Sequence, residues 1–250
     1  MRFIKNIAVD FALSLSFISR IPIKLKAVED WQERIKRVSI YFPAVGYLPG
    51  IIYSSGRLFS TKYEDYQFLI ITVSIALGYY FFDLFHFDGL LDMFDGFLNQ
   101  SNEEKRLEIM AKGNVGPFAV FFGTIYVIIF YELAKSLNWK VFLIAAVLGR
   151  YEMNVLLSLS QPAKRTGLGA MLFPYKKLYT LYATIFTLPL AFFGIKAFLI
   201  SLLLAWFTAY VISKISEEKI GGITGDVLGG SCLISQMVIL LTLSVIKSSL

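Results

Sequence analysis

The residues richest in chemistry lie between Asp83 and Asn99. Asp88, Asp92 and Asp95 recur at i, i+4 and i+7, a spacing that puts three carboxylates within about 60° of arc on one helix face. Asn99 falls on the same stripe, and Leu90, Leu91, Met93, Phe94, Phe97 and Leu98 cover the other side. Carboxylates one turn apart repel one another unless a cation compensates. An oxygen-only donor set suits a hard cation such as Mg²⁺ or Mn²⁺. Gly89 and Gly96 remove side chains beside the stripe, so a bulky ligand can approach the backbone. Asp83 and His86 point to the other side of an ideal helix: Asp83 suits a pairing with a neighbouring helix, and His86 suits a contact to substrate or to the ligands' surroundings. The bland alternative is a solvated acidic helix end. The phenylalanine-rich setting at the end of an apolar run favours the metal, because ionisable groups there are costly and functional by default.

Three further polar groups sit in apolar or glycine-rich context. Arg150 lies inside the run Val147 to Asn154, and a buried guanidinium must find an anion. It pairs either with a carboxylate of another helix or, through its fork of donors, with a substrate phosphate. Glu152 is too near in sequence to face it on a helix. The stretch Gly221 to Gly230, with Gly222, Thr224, Gly225 and Asp226, leads into the last apolar run. A glycine-rich turn before a helix N-terminus is a natural anion site. Asp226 there is an N-cap, a further metal ligand or a general base. The loop Gln161 to Gly169, with Lys164 and Arg165, is either a basic membrane anchor or a phosphate-gripping loop.

The elements that must position these groups are membrane helices. Of 250 residues, 56% are apolar and 17% charged, and the mean hydropathy is +0.64. Soluble domains carry about 25% charged residues. The composition excludes a disordered chain and a disulfide scaffold and argues against a soluble enzyme. The single cysteine, Cys232, makes neither an internal bridge nor a thiolate metal site. Apolar runs long enough to cross a bilayer cover Val38–Phe59, Phe68–Phe87, Pro117–Leu133, Val141–Leu159, Leu178–Phe193, Ile195–Ile212 and Val227–Ile246. The first, with Pro43, Gly46, Pro49 and Gly50, reads as kinked or broken. The fold class is therefore an all-α polytopic membrane bundle of about seven spans, one catalytic domain over residues 1–250. Residues 1–37 form a cytoplasmic amphipathic segment whose first helix lies in the interface plane.

The net charge of +6 reflects loop bias rather than nucleic-acid binding. Alternate loops divide Lys and Arg 17 against 6, with Arg150 inside a span. The positive-inside rule puts the N-terminus and the loops after spans two, four and six in the cytoplasm and the C-terminus outside, which turns the active site to the cytoplasm.

Several segments in order resemble the cobalamin synthase (adenosylcobinamide-GDP ribazoletransferase) family over nearly the whole chain. They are Ser16 to Pro22, which includes Arg20; Phe42 to Gly46; His86 to Gly96, which matches an H-x-D-G-x-x-D-x-x-D-G signature; Arg106 to Met110; Gly113 to Gly116; Gly149-Arg150; Gly167 to Gly169; and Gly222 to Gly229. Asp83 and Leu84 stand where the family often has small residues, so the resemblance gives Asp83 no role; Gly149 stands where serine is common. The resemblance implies an inner-membrane, Mg²⁺-using enzyme. It would join adenosylcobinamide-GDP to α-ribazole or α-ribazole 5′-phosphate, giving adenosylcobalamin or its 5′-phosphate and GMP. In that picture Asp88, Asp92 and Asp95 hold metal, and Asp95, Asp226 and His86 are catalytic. Arg20, Gly89, Gly96, Arg150, Lys164, Arg165, Gly222, Thr224 and Gly225 contact substrate. The bilayer is the partner, nucleic acid is not, and homo-oligomerisation stays open. Two other readings are a CDP-alcohol phosphotransferase, which also uses a DG-containing acidic helix, and a cation-coupled transporter with a broken-helix site.

Overall fold

The computed structural model describes residues 2–23 and 30–246; residues 24–29 of the expected N-terminal segment lie outside them. The described residues form helices α1 (Arg2–Ile18), α2 (Trp31–Arg37), α3 (Phe42–Lys62), α4 (Gln67–Gly78), α5 (Leu84–Leu98), α6 (Glu103–Lys112), α7 (Pro117–Ser136), α8 (Trp139–Leu159), α9 (Leu178–Ile185), α10 (Ile195–Ile220) and α11 (Gly225–Val245). A π-helical turn, Tyr79–Asp83, joins α4 to α5. Five stretches are long and apolar enough to cross a membrane: Glu64–Leu98, Pro117–Ser136, Trp139–Leu159, Ile195–Ile220 and Gly225–Val245. The first has 35 residues, about 50 Å of helix against a hydrocarbon core of about 30 Å. Its C-terminal part, the acidic segment, therefore reaches towards one end of the bundle.

Helix α8 is the axis of the molecule. Every residue from Val141 to Leu157 is buried, the polar Arg150, Glu152 and Asn154 among them. Against it lies α3, a single helix of 21 residues with Pro49 inside it; of the kink or break expected, the break is absent. Its glycines serve packing instead. A Cβ on Gly46 would stand 2.7 Å from the Val147 Cα, and one on Gly50 would stand 3.2 Å from the Leu143 Cα. Small residues of this kind let membrane helices meet backbone to backbone. The fifth expected span, by contrast, is not one helix. It divides into α9 and a 3₁₀ turn, Leu188–Phe193, before Gly194 at φ 149°.

The loops gather at two ends. At one, the Ser54 hydroxyl donates to the Trp139 carbonyl (2.8 Å), Arg57 Nε donates to the Leu137 carbonyl (2.7 Å), and the Trp139 ring meets Phe193. At the other, Arg106 Nη1 donates to the Lys219 carbonyl and Lys164 Nζ to the Leu107 carbonyl, both at 3.3 Å. A β-bridge joins Pro162 to Ile223 there. The second end collects the loops after α5, α8 and α10, the same loops that carry the excess of Lys and Arg.

Candidate active site

The acidic helix is set in place from two sides. On one side α11 crosses α5 with almost nothing between the backbones. A Cβ on Gly89 would lie 2.5 Å from the Asp226 carbonyl oxygen and 2.9 Å from its Cα. One on Gly229 would lie 3.0 Å from the His86 Cα, and one on Gly230 would lie 3.0 Å from the Leu90 Cα. The missing side chains bring Asp226 beside the stripe, where Asp92 lies in the electrostatic field of Asp226, Asp88 and Asp95. Asp88 is exposed, and Asp92 and Asp226 are partly buried. Thr224 caps α11, its hydroxyl accepting from the Val227 N–H at 3.3 Å and donating to Asp226 Oδ2 at 3.2 Å. This is ordinary N-cap chemistry; Asp226 is in the first turn, not the cap itself.

On the other side, Asp83 is the hub of a buried network. Its Oδ1 accepts from Arg150 Nη2 at 2.7 Å, and its Oδ2 accepts from the Tyr53 hydroxyl at 2.6 Å. The His86 ring nitrogen Nδ1 lies 3.3 Å from Oδ1. Asp83 is 1% exposed and Arg150 0%. Of the two partners expected for Arg150, the structure therefore gives the helix carboxylate. The guanidinium lies inside the bundle on Asp83 and is not on the cavity wall, which corrects the phosphate clamp. Tyr53 carries no sequence signal that would select it, since only the tertiary fold brings it to Asp83.

Asp95 also departs from expectation. It is 7% exposed, and its oxygens accept from the Gly116 N–H (2.6 Å) and the Ala119 N–H (3.0 Å). The α7 N-terminus begins at Gly116, which has no side chain to cap it, so the free N–H groups take the carboxylate of Asp95. That carboxylate serves as a cap for α7.

A cavity of about 610 Å³ opens beside the carboxylates. Its polar wall carries His86, Asp88, Lys164, Thr224, Gly225 and Asp226, and the loop 166–171 forms part of the rim. That loop is fixed to α11: Ala163 N–H donates to the Ile223 carbonyl and Ile223 N–H to the Gln161 carbonyl, both at 2.9 Å. Gly222, at φ 151°, lies against the Gln161 carbonyl. A Cβ on Gly169 would stand 2.7 Å from the Gly225 nitrogen.

The remaining expected contacts lie elsewhere. Gly96 packs on the Met110 side chain. Arg165 is exposed. Arg20 is exposed too, its guanidinium 4.6 Å from the Tyr80 ring centre. Beyond the bundle, on α6, Lys105 and Lys112 hold the Glu108 carboxyl down to about 2.

Among the described residues no three of His, Cys, Asp and Glu converge closely enough to enclose a metal ion. The donor chemistry nevertheless fits Mg²⁺, which is usually held by one or two carboxylates together with substrate phosphates rather than by an all-protein cage. Asp88, Asp92 and Asp226 offer that many oxygens on facing helices.

Fold and site together define a polytopic helical membrane protein with an acidic, lysine-flanked cavity at one end of its bundle, beside a glycine-mediated helix crossing. A model of the cobalamin-5-phosphate synthase family matches residues 10–244, and the chain belongs to that family. A Fervidobacterium nodosum protein named adenosylcobinamide-GDP ribazoletransferase is 54% identical over 94% of this chain and 96% of its own length. A Thermosipho melanesiensis protein of the same name is 53% identical over 95% and 99%. One from Kosmotoga olearia is 44% identical over 95% and 99%. No solved structure matches the chain.

Proposed function

We propose that the protein is an adenosylcobinamide-GDP ribazoletransferase. It joins adenosylcobinamide-GDP to α-ribazole, or to α-ribazole 5′-phosphate, and releases GMP together with adenosylcobalamin or its 5′-phosphate. The observation that carries this reading is the approach of α11 to α5 at Gly89, which gathers carboxylates from two helices beside one cavity in a chain of this family. Neither the CDP-alcohol phosphotransferase reading nor the transporter reading draws support from the relatives.

The ribose hydroxyl attacks the phosphorus that bears the cobinamide arm. A new P–O bond forms, the P–O bond to GMP breaks, and the hydroxyl proton passes to Asp88 or Asp226. Phosphoryl transfer needs positioning and charge neutralisation more than covalent help. Lys164 supplies a positive charge for phosphate oxygens, and the first N–H groups of α11, at Gly225 and Asp226, favour an anion. Asp88, Asp92 and Asp226 would hold Mg²⁺, which when bound offsets charge on the pyrophosphate and on the leaving GMP. The excess of basic residues on the loops at this end favours a cytoplasm-facing site.

The test is direct. Purified protein in lipid nanodiscs receives adenosylcobinamide-GDP, α-ribazole and Mg²⁺, and GMP and cobalamin are quantified. Equimolar release of both is the expected result; no GMP above the protein-free control would refute the reading.

A further inference from the structure

The lining of the cavity has two chemically different parts. One is the carboxylate and lysine wall already described. Another, mostly apolar, is contributed by the N-terminal helices: Leu13, Phe17 and Ile18 of α1, and Trp31 and Ile35 of α2. An amphipathic first helix is ordinarily read as lying on the bilayer. Here part of its apolar face also lines a cavity.

The wall is fixed by specific contacts. Asp10, 4% exposed, accepts from Arg34 Nη1 at 2.6 Å and from Arg37 Nε at 3.0 Å, which ties α1 to α2. Asn6 Oδ1 accepts from Arg34 Nη2 at 2.8 Å. Phe17 stacks on Phe42 of α3, with ring centres 6.1 Å apart and planes 19° apart. A buried carboxylate shared by two arginines is strongly oriented, so the two helices form a set surface rather than a loose flap.

Four ring systems take part in the proposed reaction, and they differ in what a wall must offer. The corrin is large and rimmed with amide arms, which need water or polar partners. Guanine, and the adenine of the adenosyl group, carry donors and acceptors along their edges, and leaving them unpaired is costly. The base of α-ribazole is a small, flat, uncharged bicycle with little hydrogen-bonding edge. The α1–α2 wall offers apolar and aromatic surface, with the Ser16 hydroxyl as its polar side chain. Of the four, the ribazole base is the one that suits such a surface.

We infer that the α1–α2 wall is the subsite for the aromatic base of the ribazole nucleoside, with Phe17, Trp31 and Ile35 against the ring and the ribose hydroxyl thereby turned to the Asp88 and Asp226 wall. The inference rests on the transferase reading and extends it, since that reading leaves open which substrate lies where. The N-terminal helices then serve as the nucleoside-selecting wall, and the carboxylate wall serves whichever pyrophosphate is presented to it.

The test uses the full chain in nanodiscs and has two arms. In the kinetic arm, Trp31→Ala and the milder Phe17→Leu should each raise the KM for α-ribazole about tenfold, the value of roughly 1.4 kcal/mol of binding. The KM for adenosylcobinamide-GDP should stay within twofold of wild type. In the binding arm, Trp139→Phe/Trp206→Phe protein leaves Trp31 as the only tryptophan. Its emission should respond saturably to α-ribazole alone and not to GDP. A rise in the KM for adenosylcobinamide-GDP instead, no change in either KM, or an emission change with GDP and none with α-ribazole would overturn the subsite. Absence of GMP release by wild-type protein would count against the transferase reading, and the fluorescence arm would still decide the subsite.

Discussion

Replacing Gly89 by alanine tests whether the helix crossing makes the active site. The new Cβ would stand 2.5 Å from the Asp226 carbonyl oxygen, 2.9 Å from its Cα and 3.0 Å from its carbonyl carbon, all backbone atoms. Ordinary contact begins at 3.4 Å, so α11 must retreat from α5 by about 0.9 Å. Neither helix can yield by turning a side chain, and overpacking of this kind costs about 1–3 kcal/mol. The larger effect falls on turnover, because a displacement of about 1 Å in a catalytic constellation commonly costs about 10²-fold in rate. Gly96→Ala is the matched control. Its Cβ would meet the Met110 Cγ at 2.5 Å and Sδ at 2.9 Å, and a flexible thioether can move aside. GMP release by Gly89→Ala should therefore fall about a hundredfold while Gly96→Ala loses less than about tenfold. Wild-type turnover in Gly89→Ala would refute the argument that the crossing positions the carboxylates.

Three other outcomes follow from the same geometry. Asp88→Asn, Asp92→Asn and Asp226→Asn should each abolish most GMP release without lowering the melting temperature, whereas Asp95→Ala should chiefly destabilise the protein, by about 0.5–2 kcal/mol in line with loss of a helix cap; thermal melts beside turnover separate the two groups. Arg150→Ala should cost about 3–5 kcal/mol by leaving Asp83 charged and unpaired in the bundle, and its substrate-induced rise in melting temperature should persist; a stable protein that has lost only that rise would restore the phosphate clamp. With Cys232 replaced by alanine, a cysteine at Asn102 should react with an impermeant maleimide only from the cytoplasmic side, and one at Asn138 only from outside; the reverse labelling would overturn the orientation.

Much of the site is legible in the sequence because its signals are local. The i, i+4, i+7 stripe and the glycines beside it need only helix geometry. The demand of Arg150 for an anion follows from the apolar residues around it. What the sequence leaves open is set by tertiary neighbours. Asp95 belongs to the stripe by phase, yet α7 arrives with Gly116 in the cap position and takes its carboxylate; the run Gly116-Pro117 is the one local sign that a cap must come from elsewhere. The prolines of α3 suggest a break, but Gly46 and Gly50 face α8 and the helix continues. Amphipathicity marks α1 as a surface helix without saying whether lipid or a cavity meets its apolar face.

The π turn at Tyr79–Asp83 explains how one helix serves two purposes. A π turn takes up about one extra residue, which rotates everything after it by about 100° relative to α4. The acidic segment is thus freed from the phase of the lipid-facing helix before it. Asp83 and Asp88 are five positions apart, about 140° around α5, so they face different neighbours: Asp83 turns to Tyr53 and Arg150, and Asp88 to the cavity. The buried pair fixes the rotation of α5, and the glycine crossing fixes its distance from Asp226. The two constraints are separable, because the first acts through charge and hydrogen bonds and the second through backbone contact. Loss of the ion pair should therefore appear first in stability, and a Cβ at the crossing first in turnover.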